Sequence, residues 1–187
     1  MVTTRPSVQA PASNGLDLFN QMERDRAATY LRRSCGVNVP TWGLRTVEQR
    51  PFGNVADLVA SAEDEVERLT EEQIAASHHG LARLGAPKSG SDPETRWSST
   101  ESQGIDRNAE FLRDLDAAHD AYEARFGHVF LISATGLSGD EILRALRERT
   151  GNDRATETRV IKEELAKFLA IRIPKVLHEL AEPGRSR

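Results

Sequence analysis

One arginine lies on the apolar face of the last predicted helix, which runs from about Asp153 to Ala181. The apolar positions of that face are Ile161, Leu165, Phe168, Leu169, Val176 and Leu180. Arg172 follows Phe168 by four residues, so it shares their face. A guanidinium is always charged, and burying it without a partner is costly. Arg172 therefore indicates an internal carboxylate or an anionic ligand held in a cleft, unless its side chain reaches the surface.

A glutamate interrupts an apolar face on a second predicted helix, from about Ser99 to Phe126. The apolar positions of this face are Ile105, Leu112, Leu115 and Tyr122. Glu101 lies one turn before them, and with Ser98 it also fits the S-x-x-E pattern of a capping box, in which the glutamate bonds the backbone. The alternative is that Glu101 and Arg172 line one pocket, where they would orient and polarise a small acid.

Two adjacent histidines end a short predicted helix in "AASHHGLARLGAP", residues 75–87. Adjacent helical residues do not share a face, so a metal site that uses both His78 and His79 is not expected. The pair fits a helix C-terminus, with Gly80 in the left-handed position and Leu81 as the hydrophobic contact that follows it. The alternative is an acid–base role for His78, which lies about one turn before Leu81.

The elements that position these residues are predicted to be helices throughout, in a single-domain, all-α multi-helix bundle. A first helical segment begins near Leu18 and stops at Cys35-Gly36. Capping signals at Asn54, Thr70 and Ser138 mark three further helix starts, and Gly127 ends the long helix. The short apolar run "HVFLI" (128–132) is either extended or a buried loop.

Composition limits the class of protein. The chain has 187 residues, of which 38% are hydrophobic and 29% charged, and its net charge is −4. This balance argues against a nucleic-acid partner, and no apolar run reaches the roughly 18 residues of a membrane span. The single cysteine and the absence of an apolar N-terminal run predict a cytoplasmic protein. We expect a mobile segment at 1–15, the helical domain at 16–182 and a short tail at 183–187.

The order of several motifs resembles a known family. They are Phe19-Asn20, Cys35-Gly36, Trp42, Arg50-Pro51-Phe52, "RLG" (83–85), "WSSTESQG" (97–104), "YEARFG" (122–127) and "KFLAIRI" (167–173). Together, over about residues 16–180 and in one register, they resemble the 2-oxo-4-hydroxy-4-carboxy-5-ureidoimidazoline (OHCU) decarboxylases. The resemblance implies an all-α homodimer without metal or organic cofactor. It also implies a small-molecule substrate in urate breakdown, where OHCU loses carbon dioxide to give S-allantoin.

The resemblance also assigns site residues. Glu101 and Arg172 match the family's catalytic glutamate and arginine, and we add His78 as a candidate acid–base group. The predicted substrate-binding positions are Leu81, Ser98, Ser102, His128, Phe130 and Ile132.

Three departures from the family pattern lie near this predicted pocket. The family reads Ala-His-Pro where this chain has Gly80-Leu81-Ala82, so Leu81 replaces the catalytic histidine and carries no proton. Ser102 replaces a glutamine, and His128-Val129 replaces Phe-Pro. We interpret these three substitutions as a sign that the protein has a different function from that of the family.

Three functions remain open at this stage. The first is an enzyme repurposed for another small carboxylated or ureido-type ring, in specialised metabolism. The second is OHCU decarboxylase itself, with His78 or His128 in place of the lost histidine. The third is a non-catalytic descendant that binds a ligand or partner.

Overall fold

The computed structural model describes residues 14–78, Arg83 and residues 109–182. Within these residues the chain forms eight helices and no strand, so the all-α prediction is confirmed. The helices are α1 (Gly15–Gln21), α2 (Arg24–Cys35), α3 (Pro40–Glu48), α4 (Val55–Glu67), α5 (Glu71–His78), α6 (Ala109–Phe126), α7 (Gly139–Thr150) and α8 (Arg154–Ala181). None of the described helices is both long and apolar enough to cross a membrane.

Most helix ends lie where local sequence signals predict them. The expected caps Asn54, Thr70 with Gln73, and Ser138 with Glu141 are present. Asp153 also caps the last helix, by accepting the Thr156 N–H. Gly36 and Gly127 end α2 and α6 with φ values of 70° and 83°, which L-residues with a side chain rarely adopt. The predicted mobile segment 1–15 and tail 183–187 lie outside the described residues, except for Asn14 and Gly15 at the start of α1.

The first helical segment differs from the prediction. The chain does not run as one helix to Cys35, but leaves the helix after Gln21 and starts a new one at Arg24. The Glu23 carboxylate causes the restart, because it accepts the N–H groups of Asp25 and Arg26 at 2.9 and 2.8 Å. Helix α3 was not predicted from apolar spacing, although its first residue is a proline, as is common at that position.

The helices enclose two groups of buried residues. The main core is formed by α1–α5 and α8, and its largest fully buried members are Trp42, Phe19, Leu31, Leu58, Ile74, Ile161, Leu169 and Ile173. The second core is formed by α6, α7 and the segment between them, with Phe111, Leu115, Tyr122, Phe126, Phe130, Ile142 and Leu146. Because α8 packs against α1, α2 and α4, its buried face is fixed from several directions.

Two of the motifs that carry the family resemblance contact each other. The Asn20 side-chain amide donates to the Phe52 carbonyl and accepts the Phe52 N–H, both at 3.0 Å. The Arg50 guanidinium donates to the carbonyls of Phe19 and Met22 at 2.8 and 2.7 Å, at the end of α1. These motifs therefore join α1 to the α3–α4 connection and have a structural role.

Candidate active site

Arg172 lies on the buried face of α8, as its spacing predicts. The residue is 6% exposed, and its Nη1 donates to the Cys35 carbonyl oxygen at 3.3 Å. Its guanidinium carbon is 5.0 Å from the centre of the Phe168 ring, one turn earlier on the same helix. The carbonyl and the ring together orient the guanidinium.

The partner carbonyl belongs to the last residue of α2, where backbone acceptors lack helical donors. The Cys35 thiol itself is buried, and burial raises its pKa to about 12, although the positive charge of Arg172 acts in the opposite direction. The thiol is therefore protonated at neutral pH and is not a nucleophile beside Arg172.

The same face of α8 also contacts the loop between α6 and α7, which contains "HVFLI" (128–132). Glu164, Phe168 and Arg172 follow one another at intervals of four residues, so their side chains lie on one face. The Glu164 carboxylate accepts the Ser133 N–H at 2.6 Å. Glu164 and Arg172 are eight residues apart, or about 12 Å of helix rise, so the loop contact and the guanidinium lie about two turns apart on this face of α8.

Of the three predicted substrate-binding residues in this loop, Phe130 and Ile132 pack with the second core. Phe130 is 4% exposed, and its ring lies 4.5 Å from the Arg149 guanidinium carbon and 5.2 Å from the centre of the Tyr122 ring. Ile132 is half-buried and packs against the second core. The Phe130 ring is therefore a core side chain, so a substrate contact at this position would come from its backbone.

His128 lies with the aromatic residues at the end of α6. Its ring stacks on Phe126 at 6.1 Å and meets the edge of Tyr122 at 5.7 Å. Tyr122 in turn donates to Glu157 on α8. Glu157 precedes Arg172 by 15 residues, or about 22 Å of helix rise. The described contacts thus group His128 with Tyr122 rather than with Arg172.

The side chains of the other predicted site residues lie outside the part of the chain that the structure describes. Leu81, Ser98, Glu101 and Ser102 lie outside the described residues, as does the side chain of His78, the last residue of α5. Arg83, two residues after Leu81, donates to Glu123 and Asp120 on α6, with closest distances of 2.7 Å to each. Hydrogen bonds with Glu123 and Asp120 raise the pKa of Arg83, so it holds its charge.

A buried polar cluster was missed by sequence reasoning. Glu157, 1% exposed, accepts hydrogen bonds from Arg149, Asn152 and Tyr122. Burial alone would raise the pKa of Glu157, but the hydrogen bonds from Arg149 and Tyr122 lower it, so the carboxylate is ionised. Arg149 and Glu157 continue the apolar spacing of Leu146 and Ile161, so the signal that identifies Arg172 could have found both.

Comparison with known proteins identifies the family. The OHCU decarboxylase family model matches residues 20–174. A curated OHCU decarboxylase from Amia calva is 30% identical over 131 residues, which are 68% of this chain and 75% of that protein. The chain belongs to the OHCU decarboxylase family. As a member of the OHCU decarboxylase family it is an enzyme of the carboxy-lyase type, so the predicted resemblance and enzyme class are confirmed.

Further comparisons agree on the family and the fold. The uric acid degradation bifunctional protein TTL of Arabidopsis thaliana is 28% identical over 107 residues, which are 57% of this chain and 33% of that protein. A crystal structure of OHCU decarboxylase in the presence of (S)-allantoin superposes with a TM-score of 0.64 and 19% identity, covering 78% of this chain and 95% of the other. A structure of (S)-allantoin synthase gives 0.64 and 13%, covering 87% and 53%. At these identities the structures show a shared OHCU decarboxylase fold.

Proposed function

We propose that this chain releases carbon dioxide from a small carboxylated, ureido-type ring of the kind found in urate degradation, and that Leu81 has changed its preferred ring from OHCU to a related one. The observation that carries the proposal is Arg172, which is buried and oriented on the face of α8 that also holds the 131–133 loop. An oriented guanidinium is suited to binding a carboxylate, because its paired N–H groups match the two oxygens.

The proposed roles follow from the chemistry of decarboxylation. The bond between the ring carbon and the carboxylate breaks, carbon dioxide leaves, and the ring carbon keeps the electron pair until it takes up a proton. Arg172 holds the anionic group and takes no part in the proton transfer. The Leu81 side chain can neither donate nor accept a proton, so we assign the proton exchange to Glu101. Ser98, Ser102 and the loop around Ile132 complete the proposed substrate contacts.

A second candidate is OHCU decarboxylase itself, with a different histidine as the acid–base group. The identity with the Amia calva enzyme over 75% of its length favours it. His78 and His128 are the two candidates for the relocated histidine. The contacts of His128 with Tyr122 and Phe126 make His78 the first of the two to test.

The test is carbon dioxide release from OHCU generated in situ from urate, with three proteins compared. We expect the wild type to match the spontaneous rate, Leu81→His to exceed it, and the added Arg172→Ala change to abolish that gain. A wild-type rate above the spontaneous one would favour the second candidate, with His78→Ala and His128→Ala as the next variants. If neither the wild type nor Leu81→His accelerates the reaction, the proposal that Leu81 changed the preferred ring from OHCU is contradicted.

We make two further proposals: a homodimer, which the family resemblance supports, and a cytoplasmic location, which the single cysteine supports. Light scattering coupled to size-exclusion chromatography would test the first, because a dimer has twice the mass of the 20.7 kDa chain. Fractionation of the source cells would test the second.

A further inference from the structure

We propose that Arg149 is a positioning residue that holds the loop around Ile132 in place for the substrate, and that Glu157 fixes Arg149 for this task. The inference rests on the proposed function, because the loop is assigned to substrate binding there. Arg149 lies on α7 and Glu157 on α8, so the pair also joins these two helices to the loop.

Arg149 contacts two consecutive residues of the loop. Its Nη1 donates to the Leu131 carbonyl oxygen at 2.7 Å, and its guanidinium carbon lies 4.5 Å from the centre of the Phe130 ring. Since Arg149 is 9% exposed, these contacts are made out of bulk water. One side chain therefore restrains both the backbone of Leu131 and the ring before it.

Glu157 fixes the orientation of that guanidinium. Arg149 Nη2 and Nε donate to Glu157 Oε1 at 2.5 and 3.0 Å, so Nη1 remains directed at Leu131. The carboxylate is itself held by Asn152 Nδ2 at 2.8 Å and by the Tyr122 hydroxyl. With these donors the carboxylate has little freedom to turn, and neither has the arginine.

A second contact holds the other side of Ile132. Glu164 accepts the Ser133 N–H at 2.6 Å, and Lys167 Nζ donates to the other oxygen of the same carboxylate at 2.6 Å. The loop is thus fixed at Leu131 by Arg149 and at Ser133 by Glu164. Ile132, the predicted substrate contact, lies between these two fixed points. Such restraint fits a positioning role, since small displacements of contact groups are costly in catalysis.

A purely stabilising role explains the pair less well. A buried ion pair often gives no more stability than apolar residues of similar volume, because both charges must leave water. An apolar pair would not hold the Leu131 carbonyl. The combination of the Nη1 bond to Leu131 with the Nε and Nη2 bonds to Glu157 is therefore the feature that an arginine in this position supplies.

The test combines a structural and a kinetic readout on Arg149→Lys. Lysine keeps the charge but lacks the fork, so it does not reach Glu157 and Leu131 together. The ¹³C-methyl NMR signal of Ile132 is assigned by its absence in Ile132→Leu. We expect this signal to shift or broaden in Arg149→Lys, while the signal of Ile74 in the main core remains unchanged. In the Leu81→His background, kcat for OHCU should fall by about 10- to 100-fold. Arg147→Lys is the control, since exposed Arg147 on the same helix pairs with Asp114.

Glu157→Gln serves as the second variant if Arg149→Lys does not fold, because it keeps the shape of the side chain and removes its charge. An unchanged Ile132 signal in either folded variant would overturn the positioning role. So would an unchanged kcat in an active Leu81→His background. Absence of OHCU turnover in the Leu81→His parent would instead count against the proposed function, while the Ile132 signal still tests whether Arg149 holds the loop.

Discussion

Arg172, Arg149 and Glu157 each occupy a position on a helix face where the neighbouring spacing calls for an apolar residue. All three are buried, but their partners differ. Arg149 and Glu157 pair with each other, eight residues apart in the chain. Arg172 reaches the carbonyl of Cys35, 137 residues away. The pattern of one helix indicates that such a residue is buried, but it does not say which partner the packing supplies.

Arg172→Ala should remove activity without unfolding the protein. We expect OHCU turnover by the Leu81→His protein to fall by about 100-fold or more, because the anionic group loses its bidentate partner. Helicity from circular dichroism should remain. Arg159→Ala is the matched control on α8, since Arg159 is exposed and pairs with Glu163. Loss of helicity in Arg172→Ala alone would make this arginine structural and remove the main support for the proposed site.

The buried Cys35 thiol should make stability depend on pH in the alkaline range. Its pKa is about 12 in the folded protein against a usual value of 9.0, so the unfolded state loses its proton first as pH rises. Stability is therefore fully present below about pH 9 and falls between about pH 9 and 12, by up to about 1.4 kcal/mol per pH unit. Urea unfolding of the wild type and Cys35→Ala at pH 8 and pH 10 checks this. Parallel losses in both proteins would contradict the assignment to Cys35.

At the scale of elements, short local signals place the helices and close contacts then fix how they pack. Asn54, Ser138 and Asp153 cap helices through residues three positions away, so these starts could be predicted from the sequence. The close approach of α1 to α8 could not. Gly15 packs against the backbone of Leu177, and a Cβ built at Gly15 would lie 1.7 Å from that carbonyl oxygen.

Gly15→Ala should therefore destabilise the protein, because neither backbone can move without separating α1 from α8. We expect a loss of at least about 1–3 kcal/mol in urea unfolding. Gly53→Ala is the control, since the atom nearest to its added Cβ is a side-chain oxygen of exposed Asp57, at 3.2 Å. Equal stability of the two variants would mean that α1 adjusts its position on α8 at little cost.

At the scale of the whole molecule, α8 connects the two cores. Its Ile161, Leu165, Leu169 and Ile173 belong to the main core, while Glu157 bonds Arg149 and Tyr122 beside the second core. Glu164 adds the contact with Ser133. The loop assigned to the substrate therefore lies where the second core meets α8, and its position depends on both.

Loss of the Glu157 charge should loosen the second core more than the main core. In hydrogen exchange followed by mass spectrometry, Glu157→Gln should speed exchange in α6 and α7, because Arg149 would lose its charged partner and Tyr122 its carboxylate acceptor. Exchange in α2 and α3 should change little. A uniform increase over all helices would show that the two cores open as one unit.

The sequence by itself determined the helical class, most helix ends and the burial of Arg172, because these depend on contacts within three or four residues or on the period of one helix. It also carried the family resemblance, through motifs such as Phe19-Asn20 and Arg50-Pro51-Phe52. Only the tertiary structure decided that these two motifs bond each other, that Arg172 meets Cys35, and that Arg149 and Glu157 hold the loop at Leu131. The physical reason is that such bonds join segments brought together by the packing of whole helices, and no local periodicity encodes which buried polar groups will then face each other.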